Sequence, residues 1–243
     1  MKLRVTVCEM DCGLGYEQYI DQIKEVKSDL VILPEMPAYF WFPSLPQFNK
    51  TIWQEALRTH DEFIKVLNGV TIPLISTRPV QEDVRLNQAF CYCDGYIPIR
   101  NKYYFPNERG FYEARWFQRG EKDFKVFEIS GTSIGVLICS ELMFNELARY
   151  YGKQNAHIIV VPRATTNLDK WKIALQMAAI VSGSFVLSSN RVGEIGFNGF
   201  GCVVSPEGNV ITHTSKNKPF VTVRIDLKDA EKAKKTFPRS IYD

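Results

Sequence analysis

Apolar positions divide the chain into short elements. Residues 3–9 alternate and read as a strand, followed by a glycine-containing loop at 11–15. From 16 to 26 the apolar Ile20, Ile23 and Val26 recur at helical spacing. Residues 29–35 form a continuous apolar run in which Pro34 ends the strand and leaves Glu35 in the loop beyond it. The order is β-α-β, with a carboxylate just past a strand's C-terminal end.

Residues 36–50 carry Tyr39, Phe40, Trp41, Phe42 and Phe48 among three prolines, a rigid aromatic loop that either walls a pocket or plugs the edge of the core. A helix is predicted over 53–67 and a strand over 71–76. Strands at 86–93 and 96–100 flank Asp94-Gly95, a strong hairpin signal. The irregular stretch 101–122 is dense in aromatics, and loops of that length inside a domain are usually functional. Strands at 125–129 and 132–139 follow, then a helix over 141–151 and a strand over 156–161 ended by Pro162. Thr166 with Asp169 predicts a capped helix running to about residue 180. Strands are predicted at 185–189, 201–205, 210–213 and 220–225, with Pro206-Glu207-Gly208 as a turn. Two similar halves emerge, 2–100 and 124–225, each strand, helix, strand, helix and then hairpin-like strands. The reading is an α/β fold, two mixed sheets facing each other with helices outside. No linker separates the halves, so residues 1–243 form a single domain with internal pseudo-symmetry.

Composition narrows the function classes. A chain of 243 residues should bury roughly three quarters of its extended surface, enough for one substantial core. Thirty Lys and Arg against 27 Asp and Glu leave +3, and the basic residues are dispersed, so no nucleic-acid partner is indicated. The opening residues lack the apolar core of a signal peptide, and nowhere do about 18 apolar residues run together, so no membrane partner is expected either. Six widely spread cysteines in a chain of this size favour reduced thiols and a soluble, cytoplasmic protein.

Among those cysteines only Cys139 lies at a strand-to-helix junction, where converging backbone N–H groups lower a thiol's pKa and hold a developing oxyanion. The usual imidazole base is scarce: His60, His157 and His213 are scattered. The same scarcity argues against zinc, and no Walker or GxGxxG sequence occurs, so neither metal nor cofactor is expected. Glu35 supplies an alternative base, because adjacent parallel strands would bring its strand end and that of Cys139 to one rim.

Four blocks in order carry a family resemblance: Leu33-Pro34-Glu35, then Lys102-Tyr103-Tyr104-Phe105-Pro106-Asn107, then the segment from Phe111 to Gly120, then Ile138-Cys139-Ser140-Glu141. In order and spacing they resemble the nitrilase superfamily, also called the carbon-nitrogen hydrolases, and the likeness continues through Pro162, Asn190-Arg191-Val192-Gly193 and 201–208. The resemblance implies a four-layer α-β-β-α sandwich and a catalytic set of Glu35, Lys102, Glu113 and Cys139. Cys139 would be the nucleophile, Glu35 the general base, and Lys102 the oxyanion partner together with a backbone N–H near Ser140. Glu113 matches the second glutamate, with Glu108 as its rival. Around them, Glu141, Arg163, Tyr112 and Trp116 are candidates for substrate contact. Arg163 would clamp a substrate carboxylate or pair with Glu141. Lys170, Lys172 and the cluster Lys232, Lys234 and Lys235 read as solvated surface. The implied function is hydrolysis of a small amide or N-carbamoyl compound with water as second substrate, no cofactor, and a homodimeric assembly. An acyltransferase using the same thioester, or a catalytically idle scaffold, stays open as the alternative.

Overall fold

The computed structural model describes residues 1–166 and 168–241. Strand β1 (Lys2–Met10) sends Val5 and Val7 into one core and Cys8 and Met10 into another, the period-two alternation of a strand covered on both faces. β2 (Leu30–Ile32) and β3 (Leu74–Gln81) join it in parallel. β4 (Arg85–Tyr92) and β5 (Tyr96–Asn101) extend the sheet antiparallel, the hairpin between them turning through Asp94 in the left-handed region. A second set repeats the scheme. β6 (Phe127–Ile129) is antiparallel to β7 (Thr132–Val136), which is parallel to β8 (Ile158–Arg163) and β9 (Phe185–Arg191). β10 (Cys202–Val204) and β11 (Val210–His213) add the antiparallel edge.

The layers follow from where the apolar faces go. One core lies between the two sets of strands and mixes Val5, Val7 and Ile32 with Val136, Ile158, Val160 and Leu187. Helices α1 (Ile20–Glu25) and α2 (Lys50–Val66) cover the outer face of the first set through Ile20, Ile23 and Phe63. The short α3 (Glu113–Trp116) interrupts the long loop after β5. α4 (Asn145–Lys153) and α5 (Leu168–Ser182) cover the second set through Leu147, Tyr151, Leu175 and Ala178. The result is the expected α/β sandwich. The helix expected from Thr166 and Asp169 is α5, which runs to Ser182; Asn167, between that pair, lies outside the described residues.

Several details differ from the sequence reading. The halves are not contiguous in sequence: β12 (Phe220–Asp226) returns to pair antiparallel with β1 over Lys2↔Asp226 to Cys8↔Phe220. Nor are the two sheets wholly separate, because the ends of β1 and β9 touch at Glu9↔Asn190 and Met10↔Arg191. Pro162 does not end its strand. β8 continues to Arg163 against β9, and Pro162 is tolerated because β7 pairs only as far as Val160. The helix expected from Glu141 is a 3-10 turn over Cys139–Met143, followed by a separate α4. Lys234, just past α6 (Leu227–Ala233), is not free surface: its Nζ donates to the carbonyls of Ala156 at 2.7 Å and Gly183 at 3.0 Å.

Candidate active site

Glu35 and Cys139 reach the site from strand ends in opposite halves. After β2, Leu33 N–H still bonds Ile75 C=O at 2.9 Å, Ser76 Oγ donates to Pro34 C=O at 2.7 Å, and Glu35 N–H reaches across to Arg163 C=O at 3.2 Å. Met36 then adopts φ 45°, with its N–H on Thr77 Oγ1 at 3.0 Å. From the other side, Arg191 donates to the carbonyls of Glu35 at 3.2 Å and Met36 at 2.6 Å. The loop that carries Glu35 is thus clamped by both sheets.

Cys139 follows β7 with φ 48°, a left-handed conformation that costs a non-glycine residue of order 1–3 kcal/mol and collects at functional sites. Three bonds hold it there. Ile138 N–H donates to Glu141 Oε2 at 2.8 Å, Ser140 Oγ to Tyr104 C=O at 2.7 Å, and the thiol itself faces Ala164 C=O at 3.8 Å. Burial, then the charge of Glu35, push the thiol's pKa well up, and Lys102 opposes them. The lowering expected from the strand-to-helix junction is therefore outweighed, and the side chain of Cys139 rests as a thiol.

Lys102 is the hub. Its Nζ donates to Glu35 Oε1 at 2.9 Å and to Glu113 Oε2 at 2.7 Å, and all three side chains are 0% exposed. Burial works against its charge, but Glu113, Glu35 and Cys139 outweigh it and raise its pKa, so the ammonium stays charged. Burial and the charge of Glu35 push Glu113 up to about 8 against the pull of Lys102. Glu113 therefore exchanges its proton near neutrality. Asn87 on β4 also donates to Glu35 Oε1, at 2.8 Å. Among the described residues, Glu35 Oε2, Glu113 Oε1 and Asn87 Oδ1 accept no hydrogen bond.

A cavity of about 380 Å³ leads to this group, with Glu113, Cys139 and Ser140 on its wall and the exposed Glu108, Met143 and Lys170 nearer solvent. The structure therefore brings Glu35, Lys102, Glu113 and Cys139 together. Glu108 lines the same cavity without touching Lys102, so Glu113 alone holds the second-glutamate position on the lysine.

The four expected substrate contacts lie elsewhere. Glu141 is buried against Arg100, at 2.5 and 2.9 Å, and against the N–H groups of Ile138 and Tyr103. Arg163 is fully buried and donates to Ser188 Oγ at 2.6 Å, Thr165 Oγ1 at 3.0 Å and Phe200 C=O at 2.8 Å; it neither opens to the cavity nor pairs with Glu141. Trp116 packs on Phe42 in an aromatic core with Trp41 and Trp53, so the aromatic loop after Glu35 supplies that core instead of a pocket wall. Tyr112 is half-buried, with its N–H on Pro43 C=O and Arg115 over its ring. His60 is buried, with Ala56 C=O and Ala38 N–H as neighbours, away from the thiol. Among the described residues no group of three or more His, Cys, Asp and Glu could hold a metal ion, and no helix is long and apolar enough to cross a membrane.

Sequence reasoning passed over Asn87 and Arg100. Asn87 stands beside a second polar residue, Gln88, in its strand, so polarity did not set it apart, and Arg100 meets Glu141 from 41 residues away, which no local pattern shows.

A sequence profile described as carbon-nitrogen hydrolase matches residues 15–235. Among characterised sequences, the protein is 30% identical over 131 residues to a probable nitrilase of Schizosaccharomyces pombe, covering 51% of this sequence and 48% of that one. It is 26% identical over 181 residues to an N-carbamoylputrescine amidase of Solanum lycopersicum, covering 65% and 60%. The chain spans about half the length of the curated relatives it matches. Its fold is similar to a crystal structure of a carbon-nitrogen hydrolase from Helicobacter pylori G27, with TM-score 0.85, 20% identity and coverage of 99% of this protein and 94% of that one.

Proposed function

Because the chain belongs to the carbon-nitrogen hydrolase family, we propose that it hydrolyses a non-peptide carbon-nitrogen bond, in an amide or N-carbamoyl compound, through a thioester on Cys139. The observation that carries this reading is the junction of Lys102 with two carboxylates, all at 0% exposure, beside a buried thiol that opens onto a cavity. Removing such charges from water costs several kcal/mol per ion unless they satisfy one another, so the arrangement is retained for chemistry instead of stability.

In this reading Glu35 takes the thiol proton as Cys139 Sγ attacks the carbonyl carbon. Lys102 Nζ and a backbone N–H near Ser140 stabilise the oxyanion. The tetrahedral adduct collapses with its leaving nitrogen protonated from Glu35, which expels ammonia and leaves the thioester. Glu35 then takes a proton from water as it attacks, the acid leaves, and the proton returns to the thiol. Glu113 keeps Lys102 charged and aimed. The cavity suits a small substrate, its walls mixing Phe111, Met143 and Trp171 with Thr166 and Glu108. The N-carbamoyl class enters through the tomato relative.

A homodimer in the cytoplasm completes the proposal. Its support is the outward-facing Tyr150 of α4 and Ile173 and Met177 of α5, together with six free thiols.

The test incubates the protein and Cys139→Ala with amides, N-carbamoyl compounds, dicarboxylate monoamides and nitriles, reading ammonia and the intact mass of an acyl adduct. Ammonia from the wild type alone is expected. Equal release from Cys139→Ala, or neither ammonia nor adduct across the panel, overturns the reading; an adduct that water does not release assigns the thioester to acyl transfer instead.

A further inference from the structure

We propose that Asn87 is a positioning residue that decides which oxygen of Glu35 takes the nucleophile's proton. The inference rests on the reading of Glu35 as general base. Both donors on that carboxylate, Lys102 Nζ at 2.9 Å and Asn87 Nδ2 at 2.8 Å, converge on Oε1. Oε2 accepts nothing among the described residues, although it is buried. A carboxylate oxygen already receiving an ammonium and an amide N–H is a poor further acceptor, so the thiol proton goes to the other oxygen.

Asn87 is built for that task in three respects. It is 0% exposed on β4, and its amide orientation follows from its one side-chain partner among the described residues, since an oxygen facing Glu35 Oε1 would oppose a carboxylate. Its backbone carbonyl accepts the N–H of Lys102 at 2.8 Å. One residue thus fixes the backbone of the ammonium donor and the side group of the base, which keeps Glu35 and Lys102 in register as the oxyanion forms. Moreover, Asn87 Oδ1 has no partner among the described residues, and a buried acceptor unmade in this way is costly. The fold bears that cost where an apolar residue would pack without it, which points to the amide donor as the reason for an asparagine.

The test needs no knowledge of the substrate. The rate of Cys139 alkylation by iodoacetamide is followed against pH in the wild type, Glu35→Gln, Asn87→Ala and Asn87→Asp, with thermal unfolding of each. In the wild type the rate rises in two steps, first as the base becomes able to take the thiol proton and again, at higher pH, as the thiol ionises unaided, and Glu35→Gln removes the first step. Asn87→Ala is expected to move its midpoint upward by about one pH unit, the equivalent of one charge-assisted hydrogen bond. Asn87→Asp, the closest match in shape, is expected to move it further, because a second carboxylate then faces Oε1; a residue needed only for packing would give the reverse order. With any amide the panel identifies, Asn87→Ala should lower kcat roughly 10- to 100-fold with KM little changed. Should Asn87→Ala fail to fold, Asn87→Ser replaces it. A midpoint unmoved in folded Asn87 variants, while Glu35→Gln abolishes the first step, overturns the role of Asn87 alone. A lower-pH step that survives Glu35→Gln overturns the general-base reading itself.

Discussion

Glu141 joins the turn of Cys139 to the loop of Lys102, and replacing it with glutamine tests whether it serves the fold or the substrate. Its Oε2 accepts from Ile138 N–H and Arg100 Nη1, its Oε1 from Tyr103 N–H and Arg100 Nη2, at 2.5 to 2.9 Å and 0% exposure. In Glu141→Gln one of these oxygens becomes an amide nitrogen, so whichever way the amide lies, one backbone N–H and one guanidinium N–H face a donor. The charge opposite Arg100, itself 5% exposed, is also gone. Leaving one partner of a buried pair unmatched costs about 3–5 kcal/mol. At about 2–4 °C per kcal/mol for a domain of this size, the unfolding midpoint should fall by roughly 6–20 °C. Because the Cys139 turn hangs from Ile138 and the Lys102 loop from Tyr103, kcat should fall while KM for the best amide stays near its original value. Thermal unfolding and steady-state kinetics read both, and the apolar pair Arg100→Met with Glu141→Leu should recover little of the stability, because the buried N–H groups of Ile138 and Tyr103 then have no acceptor. A midpoint within about 2 °C of wild type combined with a raised KM would refute this reasoning and make Glu141 a substrate contact.

Gly120→Ala tests the packing beneath Lys102: a Cβ there would lie 2.4 Å from Asn101 Cβ, while Gly120 N–H bonds Lys102 C=O at 3.0 Å. It should cost about 1–3 kcal/mol in urea unfolding and lower kcat as Lys102 shifts; an unchanged kcat would show that the backbone gives way elsewhere. His60 is pushed down to about 3 from 6.5, by burial first, so it stays neutral in the fold. Its contribution is full above pH 6.5 and lost as pH falls toward 3, and His60→Gln should flatten the acid side of the stability curve, whereas parallel curves would contradict the burial. Glu113, pushed up to about 8 from 4.5 by burial and by Glu35, has the opposite sign. Its contribution is present below pH 4.5 and lost as pH rises through about 8, so the stability difference between wild type and Glu113→Gln should shrink from about pH 5 to about pH 8.

Local pattern carried most of the element list, because strand and helix periodicities are properties of neighbouring residues. The alternation of residues 3–9, the helical spacing of Ile20 and Ile23 and the Asp94-Gly95 hairpin all reappear in the structure. Where the reading slipped, a distant partner was responsible. Pro162 continues a strand because β7 stops short, and the helix after Cys139 is displaced because Glu141 turns back onto Ile138 N–H.

The candidate chemistry divides in the same way. The sequence by itself determined which side groups were present and, through four ordered blocks, singled out Glu35, Lys102, Glu113 and Cys139. Tertiary structure alone decided that these four share a dry site, that Glu113 and not Glu108 meets Lys102, and that Glu141, Arg163 and Trp116 work inside the scaffold. The reason is physical. A charge's role depends on whether water or an opposite charge surrounds it, and both are set by residues tens of positions away, such as Arg100 against Glu141 or Asn87 against Glu35.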